Sequence, residues 1–296
     1  MRLNVSEACF ACDHFSMNTL AHPRTLPSSS LPSEKLSPDA LAMLDALKLF
    51  AMACMVFDHA TWFYALHHHF ATVASMIAWR TPGRFSMPLF AFIVGTSGAL
   101  LTSDLRKMVL RLTLFAVISQ PLYNLYFGPW DGLNAIWSLA LGAWMLSWTD
   151  PRARASMTAV DHGLIAWVLG ALLVFWAITS SRSMPLALGY TGLRSDVFYA
   201  LAVPWVGFFV RRGVLTRRDR VLWRTVFAAG FLVLSVQFNS VTLDFFLVMM
   251  CVAGLLWMFP VLSSGFAWRG VQIKNRMFFY YFYPVHIALL YLAYKI

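Results

Sequence analysis

The sequence predicts an all-α protein, a polytopic bundle of about nine transmembrane helices whose amino terminus faces the cytoplasm. Three observations support this fold class. Of the 296 residues, 59% are hydrophobic and only 12% are charged, which leaves too little polar surface for a water-soluble protein of this size. Long apolar segments recur along the chain, and the connecting segments alternate between many and few basic residues. We therefore expect an integral membrane protein.

Nine apolar segments are long enough to cross a bilayer, which takes about 20 residues per helix. They span residues 46–66, 82–102, 108–125, 132–149, 162–180, 195–210, 221–238, 242–262 and 277–295. With a cytoplasmic amino terminus, 18 of the 23 Lys and Arg residues fall on the cytoplasmic side and 5 fall outside. Basic residues concentrate in cytoplasmic loops, so this asymmetry supports the division. Gly95 and Gly98 in the second segment predict close packing between helices.

The beginning of the chain differs from the rest. Residues 1–44 are rich in Ser and Pro, so we predict a flexible extension followed by one transmembrane domain over residues 45–296. Cys9, Cys12 and His14 lack a fourth ligand at suitable spacing, so no metal site is expected. The net charge of +10 fits cytoplasmic loops and anionic lipid headgroups, and no nucleic-acid partner is expected.

Several ionisable side chains interrupt the apolar segments. Asp58 and His59 stand side by side in the first segment, Arg84 lies between two prolines at the start of the second, and His286 lies in the last. Near the outer ends of the third and fourth segments are the amides Gln120, Asn124 and Asn134. A charged side chain at the bilayer centre costs about 2.5–3.5 kcal/mol, so such groups normally pair and face a water-filled cavity. We therefore predict a polar cavity in the middle or outer half of the bundle.

A structural interpretation stays open beside a functional one for each of these residues. Asp58 and His59 differ by about 100° around the helix, so they cannot point at one spot. Arg84 also fits an interfacial anchor whose side chain reaches the lipid headgroups. His286, two residues after a proline, also fits a packing residue at a helix kink.

Four blocks of the sequence stand out by their order and spacing. They read "DALKLFAMACMVFDHATWFY", "PGRFSMPLFAFIVG", "RLTLFAVISQPLYNLYFGPWDGLNAIWSLALGAWMLSW" and "FFYYFYPVHIALLYLAY". Together they resemble the TraX family, the membrane acetylases of conjugative pilin, from about Asp45 to Tyr294. The resemblance implies transfer of an acetyl group from acetyl-CoA to an amino terminus, with a pilin or another exported protein as the acceptor.

The resemblance also implies roles for the polar residues. The intramembrane Asp-His pair of the family falls on Asp58 and His59, its Gly-Arg block on Arg84, and its terminal histidine on His286. Acyl transfer from a thioester needs a base for the proton of the acceptor and a donor for the developing oxyanion. We expect His59 to be the base, supported by Asp58, with Arg84 as the positive group and His286 as a second candidate for the base.

The donor and acceptor sites are assigned from the remaining polar residues. The sequence has no glycine-rich phosphate loop of the soluble acetyltransferase kind, so basic cytoplasmic residues are expected to hold CoA. These are Arg211, Arg212, Arg217 and Arg218. The acceptor is expected to contact Gln120, Asn124 and Asn134.

Two other functions fit the same residues. An O-acetyltransferase of a cell-surface glycan would use the same base, because sequence does not separate amine from hydroxyl acceptors. A proton-coupled transporter also places Asp, His and Arg inside the membrane. Common transporters contain paired repeats with broken helices, and this sequence shows no such pairing, so we place the acetyltransferase first.

Overall fold

The computed structural model describes residues 37–68, 79–100, 105–127, 134–149, 162, 165, 193–214, 220–238, 243–265 and 277–295. Within these residues the protein contains eight α-helices, one 3₁₀-helix and no strand. The predicted all-α fold is confirmed. Most of the predicted extension, including Cys9, Cys12 and His14, lies outside the described residues.

The α-helices are labelled in chain order. They are α1 (Pro38–His68), α2 (Ser86–Leu100), α3 (Leu105–Phe127), α4 (Ala135–Thr149), α5 (Leu193–Arg211), α6 (Val221–Phe238), α7 (Leu243–Gly265) and α8 (Phe278–Lys295). A 3₁₀-helix over Thr81–Phe85 leads directly into α2. These helices match eight of the nine predicted segments. The remaining segment, 162–180, lies outside the described residues except for His162 and Ile165, which are both helical.

Helix α1 begins eight residues before the predicted start, because its first residues form a capping signal. The hydroxyl oxygen of Ser37 accepts a hydrogen bond from the amide of Ala40 at 3.1 Å. Pro38 occupies the first helical position, and Asp39 places a negative charge in the first turn. The last residues of the predicted flexible extension are therefore helical, and Met43 is buried in the core.

The length and composition of the helices indicate a membrane protein, as predicted. Among the described residues, three spans are long and apolar enough to cross a bilayer: Pro38–Tyr64, Leu105–Tyr126 and Phe246–Ser264. Parts of α4, α5, α6 and α8 form shorter apolar helices. Large hydrophobic side chains such as Leu125 and Leu222 are exposed, as expected of helices that face lipid.

Glycines bring α2, α4 and α5 into close contact. A Cβ added at Gly95 of α2 would lie 2.6 Å from the carbonyl oxygen of Val203 on α5. A Cβ added at Gly142 of α4 would lie 2.7 Å from the Cβ of Val203. A Cβ at Gly98 would lie 2.7 Å from a methyl group of Leu146. Carbon atoms that are not bonded do not approach other atoms this closely, so these three positions require glycine or the helices would move apart. The predicted packing role of Gly95 and Gly98 is confirmed.

Candidate active site

Two histidines from the first and last helices meet inside the bundle. His59 of α1 and His286 of α8 are both buried, and Nδ1 of His59 lies 2.8 Å from Nε2 of His286. The ring planes differ by 10° and the centroids are 5.0 Å apart, which fits a hydrogen bond between nearly parallel rings. The structure therefore joins two residues that the sequence presented as separate candidates for the base.

The hydrogen bonds assign the protons of this pair. Nδ1 of His286 lies 2.9 Å from the carbonyl oxygen of Phe282, which can only accept, so this nitrogen carries a proton. In a neutral ring the other nitrogen of His286 is then an acceptor, so Nδ1 of His59 donates to it. When both rings are neutral, the lone pair of His59 is on Nε2. This nitrogen is the position at which the pair gains a proton.

Aromatic side chains surround the histidine pair. The ring of Tyr283 lies edge-on to His59 and to His286, with centroids 6.1 and 5.4 Å away, and Phe282 stacks on His286 at 5.0 Å. From α3, the hydroxyl of Tyr126 donates a hydrogen bond of 2.6 Å to the backbone carbonyl of His59. These contacts restrict both rings, so the hydrogen-bonded geometry is held before any substrate binds.

Asp58 binds an arginine that the sequence interpretation did not select. Nε and Nη2 of Arg80 lie 3.0 and 3.1 Å from the two carboxylate oxygens of Asp58, which makes a bidentate ion pair. The guanidinium of Arg80 also lies 4.5 Å from the ring centroid of Trp62. Asp58 is therefore engaged by Arg80, and its expected support of His59 stays a prediction. The side chain that hydrogen-bonds His59 is His286.

The 3₁₀-helix that follows Arg80 packs against α1 at Asp58. Gly83 packs directly on α1, because a Cβ added to it would overlap the Cβ of Asp58 and lie 2.8 Å from the Asp58 Cα. Arg84, the predicted positive group, is exposed. Arg80 was missed because it lies just before a predicted helix, in what looked like a loop. The available signal was Asp58 itself, since a carboxylate in an apolar helix requires a nearby cation.

The three predicted acceptor-binding amides come together at the start of α4. Oε1 of Gln120 accepts hydrogen bonds from the backbone and side-chain nitrogens of Asn134 at 3.0 and 2.9 Å, and Nε2 of Gln120 donates to Asn124 at 2.8 Å. Asn134 also donates to the carbonyl of Ala116 and accepts from the amide of Ile136, so it caps α4. The network fastens α4 to α3. Its contact with an acceptor stays a prediction.

A cavity of about 790 Å³ lies between α1, α2, α3, α4 and α8. Its lining runs from Leu41 and Leu105, near the starts of α1 and α3, to Met55 and Tyr283. Met55 is about one turn before His59, and Tyr283 contacts both histidine rings, so one end of the cavity adjoins the pair. The sequence predicted a cavity in the middle or outer half. This cavity extends instead from the end of the bundle where α1 begins to the neighbourhood of the histidine pair.

The predicted CoA-binding arginines lie elsewhere. Arg211 and Arg212 are exposed at the end of α5, and neither lines this cavity. The guanidinium of Arg212 lies 4.6 Å from the ring centroid of Phe208. Arg217 and Arg218 lie outside the described residues. Within the described residues, no group of three or more His, Cys, Asp or Glu side chains is placed to hold a metal ion.

Comparison with known proteins gives the family. The family model described as "TraX protein" matches residues 43–293, which is most of the chain. The chain belongs to the TraX family. This TraX match begins within α1 and ends within α8, so it includes both histidines and the ion pair of Asp58 with Arg80.

Two relatives match this TraX-family chain over different numbers of residues. The "Probable fimbrial assembly protein FimC, serogroup H1" of Dichelobacter nodosus is 25% identical over 258 residues, covering 82% of this chain and 92% of that protein. The "Protein TraX" of Escherichia coli is 28% identical over 123 residues, covering 42% of this chain and 46% of that protein. No solved structure gives a significant match.

Proposed function

We propose that this TraX-family protein is an inner-membrane acetyltransferase that moves the acetyl group of acetyl-CoA to the amino terminus of a pilin or similar exported protein. The observation that carries the proposal is the buried hydrogen bond between His59 and His286, next to a cavity that enters the bundle. A buried histidine whose second nitrogen is held by a fixed partner is the arrangement that a general base requires.

The transfer moves one proton twice. The nitrogen of a neutral amino terminus attacks the thioester carbonyl carbon, a C–N bond forms, and the carbonyl electron pair moves to oxygen. Nε2 of His59 takes the proton of the amine. When the tetrahedral intermediate collapses, the C–S bond breaks and the CoA thiolate takes the proton from His59. An α-amino group has a reference pKa of about 7.7–8.0, so a fraction of it is neutral and nucleophilic near neutral pH.

The partners of His59 assist without touching the substrate. The imidazolium formed at His59 donates more strongly to Nε2 of His286, whose own N–H is directed to the Phe282 carbonyl, so His286 orients the base and stabilises its charge. Asp58 and Arg80 fix the 3₁₀-helix that carries Arg84. Arg84 stays our candidate for the positive group that stabilises the oxyanion.

The names of the relatives support the proposed acceptor. The Dichelobacter nodosus relative is named as a probable fimbrial assembly protein, and the match covers 92% of it. This supports a pilin over a glycan as the acceptor.

A reaction with purified full-length protein tests the proposal. We expect mass spectrometry to find one acetyl group on the α-amino group of a peptide that copies a pilin amino terminus, after incubation with acetyl-CoA. A matched peptide with a blocked α-amino group should stay unmodified. Acetylation of hydroxyl groups alone would instead support the O-acetyltransferase. Proton flux in vesicles without any acetyl transfer would support the transporter.

A further inference from the structure

We infer that the cavity between α1, α2, α3, α4 and α8 is the donor channel: it binds the phosphates of CoA at the end of the bundle where α1 begins and leads the thioester to the histidine pair. This inference rests on the proposed function and adds the location of the donor. It also replaces the predicted donor site at Arg211 and Arg212, which are not among the lining residues.

Basic side chains gather at the mouth of the cavity. Lys48 of α1 and Lys107 and Arg111 of α3 all belong to its lining. Lys48 is paired with Asp45 at 2.7 Å, and its ammonium lies 5.1 Å from the ring centroid of Phe279. With three cations and one carboxylate, this end carries a formal charge of +2. Arginine and lysine at such a mouth favour a ligand with phosphate groups.

The interior of the cavity changes from charged to apolar. Flexible methionine side chains form much of the remaining lining, including Met52, Met55, Met87 and Met108. Thioether side chains adapt to irregular, partly apolar ligands. Ser97 adds a hydroxyl group to this lining. The lining therefore matches a ligand with an anionic head and a linear arm that alternates methylene and amide groups, as the pantetheine arm of CoA does.

The depth of the cavity matches the length of that arm. Along α1, Lys48 precedes His59 by about 16 Å at about 1.5 Å per residue. Along α8, Met277 precedes His286 by about 14 Å on the same scale. The arm between phosphate and sulfur contains about twelve chain atoms, the equivalent of about four residues, and extends to roughly 14 Å. A CoA thioester bound by its phosphates at the mouth therefore brings its acyl carbon to the pair.

Calorimetry of the purified full-length protein with CoA tests the location. We expect Arg111→Ala to weaken CoA binding about tenfold, because it removes a charge-assisted hydrogen bond to phosphate. Arg106→Ala is the matched control: Arg106 is on the same helix, is exposed and does not line the cavity, so affinity should stay near that of the unchanged protein. Ser97→Phe should abolish binding by obstructing the channel near its basic end, whereas Ser97→Ala should retain it.

The outcomes separate this inference from the proposed function. If folded wild-type protein binds CoA and the Arg111 and Ser97→Phe variants bind equally well, the channel is overturned while the acetyltransferase stands. Loss of binding in Arg211→Ala or Arg212→Ala alone would restore the predicted donor site. If folded wild-type protein binds no CoA, the proposed function itself fails. A phospholipid retained in native mass spectra and lost only in Ser97→Phe, with CoA affinity unchanged, would make the cavity a lipid site.

Discussion

Two buried polar clusters join helices in this protein, and they differ in the direction of their hydrogen bonds. In the cluster of Gln120 and Asn134, the carbonyl and amide groups bond one another and the backbone at the start of α4. In the pair of His59 and His286, the chain of hydrogen bonds runs in one direction, from His59 through His286 to the Phe282 carbonyl. That direction places a basic lone pair at Nε2 of His59.

The comparison shows that burial of a polar group does not by itself reveal its role. Amide side chains donate and accept at once, so they can close a network and fasten two helices. An imidazole can accept a proton at one nitrogen while the other continues to donate. We therefore expect damage to the amide cluster to lower stability and damage to the histidine pair to lower the rate of acetyl transfer.

The largest expected effect is that of His59→Ala. Loss of the general base should lower the rate of acetyl transfer by about 10²–10⁴-fold. Membrane insertion should be nearly unchanged, because removal of an ionisable group from an apolar helix eases insertion. The measurements are the initial rate by mass spectrometry of the acceptor and the amount of folded protein in the membrane. Full activity at normal abundance would transfer the role of base to His286.

A smaller loss of activity is expected when His286 is replaced, because His286 acts on the reaction through His59. His286→Ala should lower kcat by about 10–100-fold with little change in KM, because the base loses its orienting partner. His286→Gln keeps an acceptor for Nδ1 of His59, so it should recover part of kcat. Steady-state kinetics of both variants checks this. Equal kcat for His286→Ala and the wild type would make His286 a packing residue.

Gly83→Ala should lower stability by about 1–3 kcal/mol, since its Cβ would overlap Asp58 and separate the 3₁₀-helix from α1. Gly254→Ala on α7 is the matched control, because a Cβ at that position would point into open space away from the backbone of its own helix. Thermal unfolding in detergent should show a lower midpoint for the first variant only. Equal unfolding midpoints would mean that the 3₁₀-helix can move away from α1 without a loss of stability.

The smallest expected effect is that of Asn134→Ala, about 1–2 kcal/mol of stability, because α4 loses its cap and Gln120 loses two donors. Thermal unfolding measures this loss. The KM for the acceptor peptide, measured on the same sample, shows whether Asn134 also contacts the acceptor. A higher KM with an unchanged unfolding midpoint would support the predicted acceptor contact instead of a structural role.

The sequence by itself determined the all-α membrane fold, most of the helix positions, and the fact that Asp58, His59 and His286 are polar groups within apolar helices. Hydropathy and polar interruptions are properties of each segment taken alone, so they can be read along the chain. The start of α1 was also readable in principle, since Ser37, Pro38 and Asp39 form a local capping signal.

Only the tertiary structure decided which polar groups meet. The contact between His59 and His286 links helices at opposite ends of the chain. Asp58 pairs with Arg80, and Gln120 and Asn134 form hydrogen bonds with each other. Each contact depends on how far a helix is rotated about its axis and shifted along it, because neighbouring residues on a helix point about 100° apart. The rotation and the shift of each helix are set by packing between helices, including the glycine contacts. They therefore cannot be predicted from the sequence of any one segment.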